Sequence, residues 1–217
     1  MGRTGQHPRS ALGRLVADVT LAQLVDWLGR FRDLVTEKQS YLTELDSAIG
    51  DADHGSNMAR GMGTVMEKLG TPATIDELFK TVGMTLVTSV GGASGPLYGT
   101  FFLRIGTTAG AVSGLTYAEF SAALRAGLAG VIARGKAEVG DKTMLDALVP
   151  ALDAWDAAAS APWDAAFAAA SSGRDATEPL VARKGRASYL GDRSAGHLDP
   201  GATSTALLFE ALAGALA

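Results

Sequence analysis

The sequence predicts an all-α, single-domain bundle of about eight amphipathic helices. Three observations predict it. Apolar residues recur at helical spacing along most of the chain, no segment alternates as a strand does between turn signals, and the links between periodic runs are short. With 217 residues, 47% of them hydrophobic, there is enough apolar surface for one well-buried domain.

Residues 1–18 begin polar, with Gly and Pro, and read as a flexible N-terminal tail ahead of a folded domain at 19–217. Leu21, Leu24, Val25, Leu28, Phe31 and Val35 then fall on one helical face, behind Thr20 as the expected N-cap. A second run through Leu42 and Leu45 ends in an Asp- and Gly-rich loop. Helices are expected over 57–69 and 75–90, the latter with Asp76 and Glu77 in its first turn, where negative charge favours the helix dipole. Further helices are expected over 96–110, over 117–134 behind Thr116, and over 143–159. An Ala-rich segment at 164–171 is helical by propensity, and a last helix covers 202–216. The least regular stretch is 172–200, and a loop that long inside a compact domain is usually functional.

Composition excludes several classes. The formal net charge of −4 argues against nucleic acid as the main partner. No cysteine is present, which removes disulfides, thiolate chemistry and Cys-ligated metals. Arg14 and Asp18 interrupt the one apolar stretch near the start, so no secretory signal is read there, and a cytoplasmic location is expected. Residues 81–103 carry no charge and have the length of a membrane span. Gly91-Gly92 and Gly95-Pro96 break that run, however, so it reads as two buried helices joined at a turn, with no membrane association.

The most informative segment runs from Leu45 to Met62. Asp46 ends the second helix, Gly50 frees the backbone, and Asp51 and Asp53, two apart, can point to one side and back toward Asp46. Three hard oxygen ligands on a loop suit Mg²⁺, which shares its shell with water and phosphate. Gly55-Ser56-Asn57 then opens a helix whose free N–H groups attract phosphate. Metal and phosphate sites side by side suggest a Mg-nucleotide. The rival reading is a solvated turn that merely caps two helices. An EF-hand is rejected, because Ser56 and Met62 stand where that loop needs Gly and Glu.

Three other segments are candidates. Gly91–Thr100 puts small residues and the Ser94 hydroxyl at a helix start, suited either to phosphate or to tight helix packing. Gly135–Thr143 looks like a Walker A loop, but Asp141 separates its second Gly from Lys142 and a helix precedes it; that assignment is discarded and the segment kept as a site candidate. The last is Lys184–Gly191 followed by His197–Ser204, where Arg186 could clamp a phosphate and Asp199 could cap the final helix or bind a ribose hydroxyl. His54 adjoins the carboxylates, yet no orienting partner for a phosphohistidine role stands near it in sequence.

Together these segments resemble the nucleotide-binding L subunit of dihydroxyacetone kinase, over about Leu21 to Leu212. The resemblance rests on Gly50–Met58, Gly91–Gly99, Gly140–Met144 and Gly196–Gly201, in that order. It implies an eight-helix antiparallel barrel that holds ADP or ATP with two Mg²⁺ at one end. It also implies that Asp46, Asp51 and Asp53 bind metal, and that His54, Gly55, Ser56, Asn57, Ala93 and Ser94 surround the phosphates. Gly135, Met144, Arg186, Asp199, Pro200 and Gly201 would complete the pocket, with Met144 against the adenine. Ala52 stands where the family often has Gly. Three carboxylates and a nucleotide's phosphates gather roughly six or seven negative charges, more than one Mg²⁺ offsets.

The resemblance therefore implies half of a kinase, with no protein nucleophile and therefore no catalytic side chain. The substrate, dihydroxyacetone, would sit on a separate K-type subunit, and an M-type subunit of a phosphoenolpyruvate-dependent phosphotransferase would recharge the resident ADP. Two alternatives remain open on sequence. One is an ATP-exchanging L subunit of a two-subunit kinase for another short ketose or tetrose; the other is a nucleotide-loaded regulatory module. A homodimer is also left open.

Overall fold

The computed structural model describes residues 18–158 and 161–217; the expected tail, Asp18 apart, lies outside the described residues. Nine α-helices form there: α1 Leu21–Glu37, α2 Gln39–Ile49, α3 His54–Lys68, α4 Ile75–Ser89, α5 Ser94–Ala109, α6 Tyr117–Gly135, α7 Leu145–Ala157, α8 Pro162–Asp175 and α9 Pro200–Leu216. A 3-10 segment, Arg186–Ser194, lies inside the long α8–α9 link. One expectation is corrected: a short antiparallel pair does form, β1 Val19–Thr20 with β2 Gly114–Leu115, registering Val19 on Leu115. Two residues per strand are too few to show alternation, so periodicity is blind to them.

Local chemistry sets the helix starts. Thr20 accepts from Gln23 N while the Gln23 side chain returns to the Thr20 backbone, a reciprocal capping box, and Thr116 with Glu119 repeats it at α6. Several starts differ from expectation for a side-chain reason. α3 begins at His54, three residues early, because Asp46 Oδ2 accepts both Asp53 N (2.8 Å) and His54 N (3.1 Å). α7 begins late, at Leu145, because the Asp146 carboxylate takes the amides of Gly140 and Thr143 and holds them in a loop. The expected end of that helix, at 159, is outside the described residues.

Packing closes a ring. α3 lies on α4, α4 on α5, and so on in sequence to α9, which packs on α1, while α1 packs on α3. α2 rests against α3 and α9. Short links between sequential neighbours mean that alternate links share one end of the ring. The α2–α3, α4–α5, α6–α7 and α8–α9 links gather at one end. The other end is tied by β1–β2 and by Ile75 N donating to Val112 O at 2.8 Å.

The core is aromatic at its centre. Trp27 meets Phe79, Phe102 and Phe120 at centroid separations of 6.0, 5.7 and 6.1 Å, and its Nε1 donates to Leu208 O at 2.9 Å. α4 and α5 approach through Gly83 and Gly99: a Cβ on either would press on the other's carbonyl oxygen, at 2.7 and 2.8 Å. α9 is buried on nearly all sides, as expected for a helix apolar all round.

Candidate functional site

The four links enclose a cavity of about 460 Å³. Its carboxylate end is built from the α2–α3 link. Asp46, Asp51 and Asp53 each place an oxygen within 4.8 Å of the others, a spacing that fits one or more hard cations. Asp46 is buried, and its Oδ2 is already satisfied by the first amides of α3. A side chain at Gly50 would collide with the Asp46 carboxylate, so only glycine lets the chain turn there. Ala52, between the other two carboxylates, is left-handed at φ 61°, which costs a non-glycine residue about 1–2 kcal/mol. Strain of this kind concentrates where a loop must aim its ligands.

His54 stands behind the cluster. Its Nε2 meets Ser204 Oγ at 2.9 Å and its Nδ1 meets Ser94 Oγ at 3.1 Å. Burial lowers its pKa below the ordinary value, against the opposing pull of Asp46 and Asp53. Tyr98 OH continues the network to Ser204 (2.8 Å) and Thr205 (3.1 Å), and burial pushes its pKa up to about 12, so it remains a neutral phenol.

Of the remaining sequence-selected residues, Ala93, Ser94, Gly135, Met144, Arg186, Asp199, Pro200 and Gly201 line the same cavity. Three do not. Gly55 abuts α2, where a Cβ would strike Gln39 O and the Thr43 side chain. Ser56 Oγ donates to Asp53 O at 2.9 Å, and Asn57 Oδ1 accepts from Arg60 at 2.6 Å. Arg186 pairs with Asp51 at 3.0 Å, a half-exposed contact that holds the 3-10 segment against the carboxylate loop. Sequence reasoning passed over Arg134, Lys142 and Lys184, which also line the cavity, and Asp146, which shapes its floor. Lys142 and Lys184 lay inside segments already singled out; Arg134 marked only the expected end of a helix.

Asp199 caps α9, accepting Ala202 N at 2.6 Å. Burial raises its pKa from 3.8 to about 7, with Asp146 adding to the rise and Lys142 and two amides opposing it. A folded-state pKa above the unfolded one stabilises at low pH, and that contribution is lost as pH rises from near 4 through 7. Asp199→Asn keeps an oxygen for the cap and cannot ionise. The parent's stability relative to this variant should therefore fall between about pH 5 and about pH 8. Urea unfolding at both values checks this, and a constant difference would refute the raised pKa.

A ring of helices carrying a carboxylate cluster and a cavity on alternate links at one end defines an all-α protein whose site is built from loops. The DAK2 domain signature matches residues 48–214, and the chain belongs to that family. It is 49% identical over 201 residues to the ADP-binding subunit DhaL of the PEP-dependent dihydroxyacetone kinase of Escherichia coli K12, covering 88% of this chain and 95% of that one. It is 46% identical over 197 residues to the ADP-binding subunit DhaL of the PTS-dependent enzyme of Lactococcus lactis, covering 89% and 97%. The dihydroxyacetone kinase of C. freundii, solved with AMP-PNP and Mg²⁺, superposes with a TM-score of 0.69 at 29% identity. That match covers 99% of this chain but 38% of the larger kinase. Among the described residues, no helix is long and apolar enough to cross a membrane.

Proposed function

We propose that this chain is the ADP-binding subunit of a phosphoenolpyruvate-dependent dihydroxyacetone kinase, working in the cytoplasm with ADP and two Mg²⁺ in the four-link cavity. The observation that carries this reading is the Asp46, Asp51 and Asp53 cluster opening into a cavity lined by Leu97, Val131, Met144 and Leu145. The match to ADP-binding subunits over nearly their whole length supports it.

Mg²⁺ bound at the cluster supplies charge neutralisation for the phosphates and the group in transfer. Asp46, Asp51 and Asp53 would hold it, and Asp46, which accepts the first amides of α3, would aim that helix end at the phosphates. Gly55, Ser56 and Asn57 would then act through that helix terminus, since Gly55 has no side chain and those of Ser56 and Asn57 bond to Asp53 O and Arg60. Ser94 would donate its hydroxyl, and Arg186 would exchange Asp51 for phosphate oxygens. Met144 would pack on the base. Asp199, which caps α9 and lines the cavity with Pro200 and Gly201, would take the ribose. No protein nucleophile would take part on this reading; the His54 ring sits between the hydroxyls of Ser204 and Ser94. Rate would come from positioning and charge. The acceptor hydroxyl would arrive on a K-type subunit, with an M-type subunit recharging ADP in place.

One experiment tests both halves of the reading. The purified chain with ATP and dihydroxyacetone should form no dihydroxyacetone phosphate, and adding K- and M-type subunits with a phosphoenolpyruvate source should start turnover. Mass spectrometry of the same preparation should find near-stoichiometric ADP. Product from the chain alone would overturn the half-kinase reading; an empty site that exchanges ATP rapidly would overturn the resident-cofactor part.

A further inference from the structure

Lys142 belongs to a segment the sequence marks as a site candidate, yet the nucleotide reading leaves it without a role. Its side chain is 1% exposed and its backbone is left-handed at φ 64°. Both features are costly. A buried ammonium forfeits its hydration, and a left-handed backbone is strained at a non-glycine residue. They persist only where the surroundings over-determine them.

Those surroundings are three carbonyl groups. Nζ donates to Ser194 O at 2.7 Å, Leu180 O at 3.0 Å and Glu178 O at 3.3 Å, engaging all three of its hydrogens. Glu178 and Leu180 lie on the outgoing arm of the α8–α9 link and Ser194 on the returning arm, so one ammonium ties the two together. The arms are laced further. Ser194 Oγ accepts from Ala182 N at 2.8 Å and donates to Gly191 O at 2.7 Å, and Gly196 N donates to Glu178 O at 2.8 Å. Arg183 N reaches Asp141 O at 3.0 Å, fastening the link to the residue before Lys142. Between the fastened points hang Lys184, Gly185, Arg186 and Ala187, all lining the cavity, and just beyond them stands Asp199.

We propose that Lys142 is a positioning residue that folds the α8–α9 link over the cavity and so sets Arg186 and Asp199 against the nucleotide. Its own hydrogens are spent on carbonyls, so it acts through the link. This rests on the reading of the cavity as a nucleotide site.

The absence of cysteine makes a clean test possible, because K142C carries the only thiol. In denaturant, its thiolate displaces bromide from 2-bromoethylamine to give a thioether with an ammonium at lysine's reach. Iodoacetamide instead gives a neutral amide, with iodide leaving. Both products are refolded beside the parent chain. The readouts are tryptic cleavage at the exposed Arg183, Lys184, Arg186 and Arg193, and MgADP affinity by calorimetry.

The amide form should be cut in the link about tenfold faster than the parent and bind MgADP about tenfold more weakly, with its helical circular dichroism intact. The ammonium form should return both values to within about threefold of the parent. Parent-like protection and affinity in the amide form would overturn the proposal, as would failure of the ammonium form to recover while the parent refolds. Should the amide form not fold, Lys142→Met takes its place, keeping the apolar stem and removing the donor. Cleavage in the link should then rise about tenfold, and an unchanged rate would overturn the tie. A refolded parent that is protected but binds no MgADP would instead count against the nucleotide reading itself.

Discussion

Asp51→Asn and Asp53→Asn should each weaken Mg²⁺-dependent ADP binding by about a hundredfold, or about 2.7 kcal/mol, while helical content and the unfolding midpoint of the nucleotide-free chain change little. The asymmetry follows from where the carboxylates sit. Asp51 is exposed and Asp53 half-buried, so neither side chain supports the core. Both lie within 4.8 Å of Asp46, in the one acidic cluster of metal-binding geometry among the described residues. Asp51→Asn also releases Arg186, but that half-exposed pair contributes at most about 1 kcal/mol to the fold. Asp46 is unsuited to the same test, because its carboxylate holds the start of α3 and its loss would mix folding with binding. Titration of ADP at fixed Mg²⁺ decides the matter. Unchanged affinity in both variants would remove the metal assignment.

Trp27→Ala should have the largest effect on the fold, a loss of about 3–5 kcal/mol. The ring is fully buried among Phe79, Phe102 and Phe120, and its Nε1 finds its acceptor in Leu208 O across the α1–α9 contact that closes the helical ring. Alanine would leave a cavity and remove the one hydrogen bond from this ring to α9. For a domain of this size that corresponds to a fall in Tm of about 10–15 °C, read by circular dichroism. Trp27→Phe keeps an aromatic ring and loses the donor and part of the volume, so it should cost about half as much. A fall below about 5 °C for the alanine variant would show that the aromatic centre is less essential than its packing indicates.

Much of the fold was legible because helical periodicity, caps and breakers act within a few residues. Thr20 and Thr116 cap where their sequence context places them, and the uncharged run at 81–103 does break at Gly91-Gly92 into two helices, though Met84 and Val87 stay exposed where full burial is expected. The starts of α3 and α7 were misjudged because Asp46 and Asp146 satisfy amides several residues away, which no propensity encodes. The β1–β2 pair joins residues nearly a hundred positions apart over too short a span to leave a pattern.

For the candidate site, residue type spoke first. Asp46, Asp51 and Asp53 declare hard-cation chemistry by their oxygens and their spacing in one loop, whatever surrounds them. What lay beyond the sequence was convergence and direction. Only closure of the ring puts alternate links at one end, so that Ser94, Met144, Arg186 and Asp199 share a cavity with that loop. Only packing engages Ser56 with Asp53 O and Asn57 with Arg60, and buries Lys142 among three carbonyls. The chain by itself determined the kind of helices and the kind of ligand, because those depend on local geometry and on chemical identity. Which side chains face the ligand was decided by the tertiary structure alone, because that depends on contacts between residues far apart in sequence.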